Sequence, residues 1–203
     1  MRIALPLILI ALALPVQAGG TKGDYVATRQ GSVASPGQVT GTGHREDPVQ
    51  RFVESNLTET LYHELGHVLI DVLDLPVFGP EEFAVDMFAA VLMNRMHDED
   101  RVVAMTYDVA AAYDAGAIKE RTAGDAPALW DVHGPDRQRY YTFACLMYGA
   151  NPDRRDDVAE ELGLPKARMH TCEDEYELTA RAWGAVLDEL AENAPGQSLK
   201  MDW

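Results

Sequence analysis

Along this chain, apolar positions recur at the period of a helix and almost never at the period of a strand. Between about Pro48 and Leu73, apolar residues stand at positions 57, 61, 65, 68, 69 and 72, which predicts an amphipathic helix. Asp47 is suited to its N-cap and Pro48 to its first turn. Leu75-Pro76-Val77-Phe78-Gly79 predicts a tight turn. A second helix is expected from Pro80 to about Met96, with Glu81 and Glu82 in the first turn, where acids complement the macrodipole. Phe83, Val85, Met87, Phe88, Val91 and Leu92 make it apolar on nearly every side, the pattern of a buried helix. Asp98 to Ala115 predicts a third helix, and Thr122 to Val132 a loop containing Gly124 and Pro127. A fourth helix spans Pro135 to Tyr148, ended by Gly149 and Asn151-Pro152. A short one at about 153–162 stops at Gly163-Leu164-Pro165, and Asp174 to Asn193 forms the last. No internal repeat and no Gly-rich phosphate loop is present. The expected fold is mainly α, with little or no sheet, over residues 47–203.

The front of the chain reads differently. Residues 1–18 carry Arg2, an apolar run from Ile3 to Leu14, and the small-x-small pattern Val16-Gln17-Ala18, which together predict a secretory signal peptide. The alternative, a transmembrane anchor, needs roughly 20 apolar residues, more than this run supplies. Residues 19–46 are rich in Gly, Ser, Thr and Gln and lack both periodicities, so a flexible tail is expected. The mature protein is therefore expected to be exported, periplasmic or secreted, with no attachment to the membrane once the signal is removed. Export favours a bridge between Cys145 and Cys172, the only two cysteines; two free buried thiols are the alternative.

Composition adds one exclusion. With 17 Lys plus Arg against 33 Asp plus Glu, the formal charge is −16, which argues against nucleic-acid backbones and anionic membrane surfaces as partners.

The chemistry is concentrated in Tyr62-His63-Glu64-Leu65-Gly66-His67, an H-E-x-x-H pattern inside the first predicted helix. Residues four apart share a helix face, so His63 and His67 can aim two imidazole nitrogens at one metal ion. Glu64 lies one residue on, rotated away from that pair, where its carboxylate can act as a general base. Gly66 interrupts the helix at a cost of about 1 kcal/mol against Ala, which suggests close packing beside the histidines. A catalytic zinc normally has three protein ligands and an open position. The extended H-E-x-x-H-x-x-G-x-x-H pattern fails, because Ile70 and Leu73 stand where Gly and His are needed. The third ligand is therefore sought on the second helix, where Glu82 and Asp86 share a face and are too costly to bury unpaired. Glu82 is assigned as ligand and Asp86 as its neighbour, hydrogen-bonded to the far nitrogen of a ligand histidine. The reverse assignment stays open, as does Glu81 as ligand or as a first-turn cap.

His133, in Asp131-Val132-His133-Gly134-Pro135-Asp136, is a candidate catalytic donor for an oxyanion, as are Tyr140 and Tyr141. A capped helix-entry loop is the plainer reading of that stretch. His97 and His170 read as exposed residues near helix ends. The acid runs Asp98-Glu99-Asp100 and Glu173-Asp174-Glu175 read as solvated helix starts. Tyr107, Tyr113, Trp130 and Trp183 read as core or rim residues.

The run from His63 to Met93 resembles the gluzincin pattern, in which H-E-x-x-H is followed by a helix bearing E-x-x-x-D. More closely, it resembles an uncharacterised family of exported bacterial proteins described as putative metallopeptidases. The later elements are Asp136-Arg137-Gln138-Arg139-Tyr140-Tyr141, Cys145, Tyr148-Gly149-Ala150-Asn151-Pro152, and Cys172 with Glu175-Tyr176, and the resemblance covers about residues 50–190. It implies a zincin-like zinc site built from His63, His67 and an acid of the second helix, with Glu64 as base, and supports the Cys145–Cys172 bridge. The function expected is thus zinc-dependent hydrolysis of a peptide or protein. The family's longer region ahead of the HELGH helix motivates an alternative, a zinc-bearing binding module that recognises a protein partner without cutting it.

Overall fold

The computed structural model describes residues 47–124 and 126–193. They belong to the second of two units into which the chain divides, Gly43–Trp203. The predicted signal peptide and tail, and His44, lie outside the described residues. Six helices and no strand occur among the described residues: α1 (Pro48–Leu73), α2 (Glu81–Met96), α3 (Glu99–Thr122), α4 (Asp136–Gly149), α5 (Pro152–Glu161) and α6 (Lys166–Asn193). The fold is mainly α, as expected. None of these helices is long and apolar enough to cross a membrane.

Local chemistry explains most boundaries. The Asp47 side chain accepts from the Val49 N–H at 3.0 Å, and Asp74 closes α1 in the left-handed region at φ 51°. Asp98 caps α3 through the Arg101 N–H at 2.9 Å. Two helices outrun their sequence signals. α3 continues past Gly116 to Thr122, because Ala117 is buried and Lys119 and Arg121 suit the last turn. α6 starts at Lys166, where Arg168 reaches forward to Glu175 with two hydrogen bonds of 2.6 Å. The run Glu173-Asp174-Glu175 is therefore inside a helix, not at its start.

α2 is the central rod, packed against α1, α4 and α6. Val85, Phe88 and the whole stretch from Ala89 to Met93 are buried, as its all-round apolar pattern requires. Ala90, Met93, Met105, Val109, Phe143 and Met147 join α2, α3 and α4 in one cluster. Phe88, Val91 and Trp183 join α2 to α6 in another, and Trp130 is left exposed. The Cys145–Cys172 disulfide ties α4 to α6. Beside it, a Cβ on Gly149 would collide with the Cys172 backbone, so only glycine permits that approach.

Of the predicted apolar stripe of α1 only Leu69 packs against the core, and the rest of the stripe faces outward. The buried residues of α1 are Ser55, Glu59, His63, Gly66 and Ile70, while Leu57, Leu61, Leu65, Val68 and Val72 are exposed. The inward face is polar because each group meets a partner. The Ser55 hydroxyl donates to Asp108 at 2.8 Å, Tyr113 donates to Glu59 at 2.8 Å, and His63 meets Asp86 at 2.8 Å.

Candidate metal centre

Three parts of the chain converge at one end of the α1–α2 contact. α1 supplies His63 and His67 one turn apart. The first turns of α2 supply Glu81, Glu82 and Asp86. The loop ahead of α4 supplies Asp131 and His133. A Cβ built on Gly66 would lie 2.8 Å from Val85 Cγ1 and 3.1 Å from Phe88 Cδ1, so the missing side chain is what brings α2 against the histidine helix.

Each histidine is held by an acid through Nδ1. His63 Nδ1 lies 2.8 Å from Asp86, His67 Nδ1 2.6 Å from Glu81, and His133 Nδ1 3.1 Å from Asp131. A carboxylate only accepts, so each Nδ1 carries the proton and each Nε2 presents its lone pair. All three Nε2 atoms face one oxygen. Glu82 Oε2 lies 3.2 Å from His63 Nε2, 3.3 Å from His67 Nε2 and 3.2 Å from His133 Nε2. That oxygen is buried and makes no hydrogen bond. With neutral imidazoles, lone pairs thus meet lone pairs at one buried carboxylate oxygen, an arrangement that a bound cation relieves. Two ligands bonded at about 2.0–2.1 Å to a tetrahedral ion stand about 3.3–3.4 Å apart, close to these separations. The donor atoms of His63, Glu82 and His133 all lie within 4.8 Å of one another. Those three fit a divalent metal, and His67 Nε2 joins them through Glu82 Oε2 at 3.3 Å without belonging to that group.

Behind His63 stands a buried network the sequence did not announce. Arg139, on α4, grips Asp86 with two hydrogen bonds of 2.9 and 2.7 Å and lies 4.8 Å from the Tyr113 ring centroid. Burial would raise the Asp86 carboxyl, but the hydrogen bonds from His63 and Arg139 outweigh it and hold it below its usual range. The same hydrogen bond to Asp86 holds His63 above its ordinary value, despite burial. Glu59, deeper on α1, is pushed up mainly by burial, although Tyr113 donates to it. Only the Asp136-Arg137-Gln138-Arg139 motif carried a trace of Arg139 in sequence, and it gave no role. Glu81 and Asp131 looked like helix-capping acids; the fold turns both onto histidines.

Other candidates fall elsewhere. The Tyr140 hydroxyl donates to the Leu162 carbonyl at 2.7 Å, and Tyr141 packs on the disulfide cluster. His97 is half-buried, 3.1 Å from the Tyr62 hydroxyl, and not an exposed helix-end residue. Glu64 is exposed on α1, about 100° around the helix from His63 and 60° from His67. A cleft of about 760 Å³ opens beside the histidines, lined by His67, Glu81, Glu82, Phe83, Leu129, Val132 and Gln138.

A helical domain that gathers imidazoles and a buried carboxylate at an open cleft defines a class: proteins with the donor set of a metal-dependent hydrolase. The family is shown by comparison. Residues 33–187 match DUF4344, described as "Putative metallopeptidase", and the chain belongs to that family. No curated protein and no solved structure matches it. Membership supports a metal-dependent peptidase acting on peptides or proteins.

Proposed function

We propose that this chain is an exported zinc peptidase whose metal is held by His63, His67 and Glu82, with Glu64 as general base. The observation that carries this reading is Glu82 Oε2, buried without a hydrogen-bond donor among three imidazole nitrogens. When bound, zinc supplies Lewis acidity, polarising a scissile carbonyl and making water a better nucleophile near neutral pH. The chain's own residues do the rest. Asp86 and Glu81 fix the tautomers of His63 and His67, and Arg139 fixes Asp86. The Glu64 carboxylate takes a proton from the attacking water and hands it to the departing amine. His133, nearly half exposed on its loop with Nδ1–H held by Asp131, can stabilise the oxygen on which negative charge grows only in its imidazolium form, through Nε2–H. The Cys145–Cys172 bond accords with an oxidising compartment.

Replacing Glu64→Gln tests the mechanism. The variant is expected to keep one metal per chain and lose peptide cleavage by about 10²–10⁴-fold. Undiminished cleavage with the metal verified overturns it. A second reading rests on the trio His63, Glu82 and His133: with His133 as a fourth protein ligand the site is closed and the metal structural. His133→Ala separates the two. A donor role leaves metal content intact and lowers turnover, whereas a ligand role loses the metal.

A further inference from the structure

The cleft beside the histidines has two unlike walls. Leu129 and Val132, on the loop ahead of α4, line it while 79% and 63% exposed, and Phe83 of α2 lines it with them. Glu81, Glu82 and Asp131 make up its charged part, and no Lys or Arg lines it among the described residues. Glu81 and Asp131 each give one oxygen, Oε1 and Oδ1, to a histidine. Their side chains are still 48% and 43% exposed, and the second oxygen of each meets no donor among the described residues. At about 760 Å³ the cleft has the size of a ligand site, for which about 300–1,000 Å³ is usual.

We infer that this cleft selects peptides in which a cationic group stands beside an apolar side chain. That the ligand is a peptide rests on the peptidase reading above. The apolar side chain covers Phe83, Leu129 and Val132, and the cation donates to the spare oxygens of Glu81 and Asp131. Aliphatic residues this exposed at the mouth of a cleft leave water only when an apolar ligand covers them. A metal does not reverse the sign of the other wall. Its three carboxylates exceed the charge of one divalent ion, and Asp86 behind them is balanced by Arg139. The chain, at −16, adds a field of the same sign, which draws cationic peptides and repels acidic ones. An acidic side chain in the cleft would meet carboxylates and no base, so it is rejected outright. The cation has two sources, the α-ammonium at a peptide's start or the side chain of a Lys or Arg. Both carry N–H donors that carboxylates accept in short, charge-assisted bonds.

The test uses short peptides of one length with a central Leu flanked by Lys, Gln or Glu, each with a free or an acetylated N-terminus. Calorimetry reads their binding to the zinc-loaded Glu64→Gln chain and to the metal-free wild type, and kcat/KM is read on the zinc-loaded wild type. The Lys peptide is expected to bind at least ~10-fold tighter than the Glu peptide at low salt, with the gap narrowing as salt rises. Ala in place of the central Leu should weaken binding ~10-fold. Glu81 and Asp131 also hold histidines, so the ratio between peptides is read rather than absolute affinity. Glu81→Gln with Asp131→Asn should collapse the Lys-to-Glu ratio and keep the Leu-to-Ala ratio; Leu129→Ser with Val132→Ser should do the reverse. All four positions are exposed, and circular dichroism checks that each variant stays folded. A preference lost on acetylation assigns the cation to the peptide's start, and one lost only with the Lys assigns it to a side chain; either supports the inference. Lys and Glu peptides bound alike, or ratios unmoved in the folded variants, would overturn it, and brisk cleavage of both peptides would then leave the peptidase reading standing. Selective binding with no cleavage of any peptide supports the inference and removes the peptidase reading instead.

Discussion

Gly66→Ala sets two effects of opposite sign against each other. In a helix that merely crossed solvent, alanine would stabilise by about 1 kcal/mol over glycine. Here the new Cβ would stand 2.8 Å from Val85 Cγ1, 2.9 Å from Val85 Cβ and 3.1 Å from Phe88 Cδ1. Carbon atoms pack best at about 3.5–4.0 Å, so the shortfall is several tenths of an ångström to about 1 Å. Val85 and Phe88 are fully buried, and Val85 is β-branched on a helix with one strongly preferred rotamer. Neither can swing aside, so α2 itself must move. Overpacking of this kind costs about 1–3 kcal/mol, which exceeds the propensity gain, and a net loss of about 1 kcal/mol is expected. Movement of α2 also carries Glu82 away from His63 and His67. Metal sites tolerate only about ±0.2 Å in their ligand distances, so affinity should fall about 10- to 100-fold. Urea unfolding of the metal-free protein reads the first quantity, and a competitive metal titration reads the second. A Gly66→Ala protein that is more stable than the wild type and binds metal equally well would refute the idea that this contact sets the geometry of the site.

Two further outcomes follow from buried chemistry. The Glu59 carboxyl is held above its ordinary value of 4.5, chiefly by burial. The stability it lends is present below pH 4.5 and is lost as the pH rises through the raised value. Glu59→Gln stays neutral throughout, so in metal-free protein it should gain on the wild type at pH 7 and match it near pH 4. Paired urea titrations at the two pH values check this, and a gain that is equal at both contradicts it. The Cys145–Cys172 bridge closes a sequence separation of 27 residues. On the chain-entropy view its removal by the double Cys→Ala variant should cost about 3.5 kcal/mol in chemical unfolding, and a loss under about 1 kcal/mol contradicts that view.

The sequence by itself determined that the described residues form helices and that His63 and His67 share a face, because both depend on residues close in the chain. Asp47 and Pro48 mark the start of α1, and a spacing of four puts His63 and His67 on one face whatever surrounds them. The burial of α2 was also legible, since a helix apolar all round has nowhere else to go. Only tertiary structure decided which face of α1 turned inward. Its apolar stripe pointed toward a core, yet the polar face was buried, because Asp86, Tyr113 and Asp108 lie far along the chain and satisfy it there. For the same reason no local pattern could reveal that Glu81 and Asp131 reach histidines, or that Arg139 grips Asp86 from 53 residues away. Those partnerships depend on how helices cross, and a crossing is set by packing, such as the space left by Gly66 beside Val85, which no periodicity records.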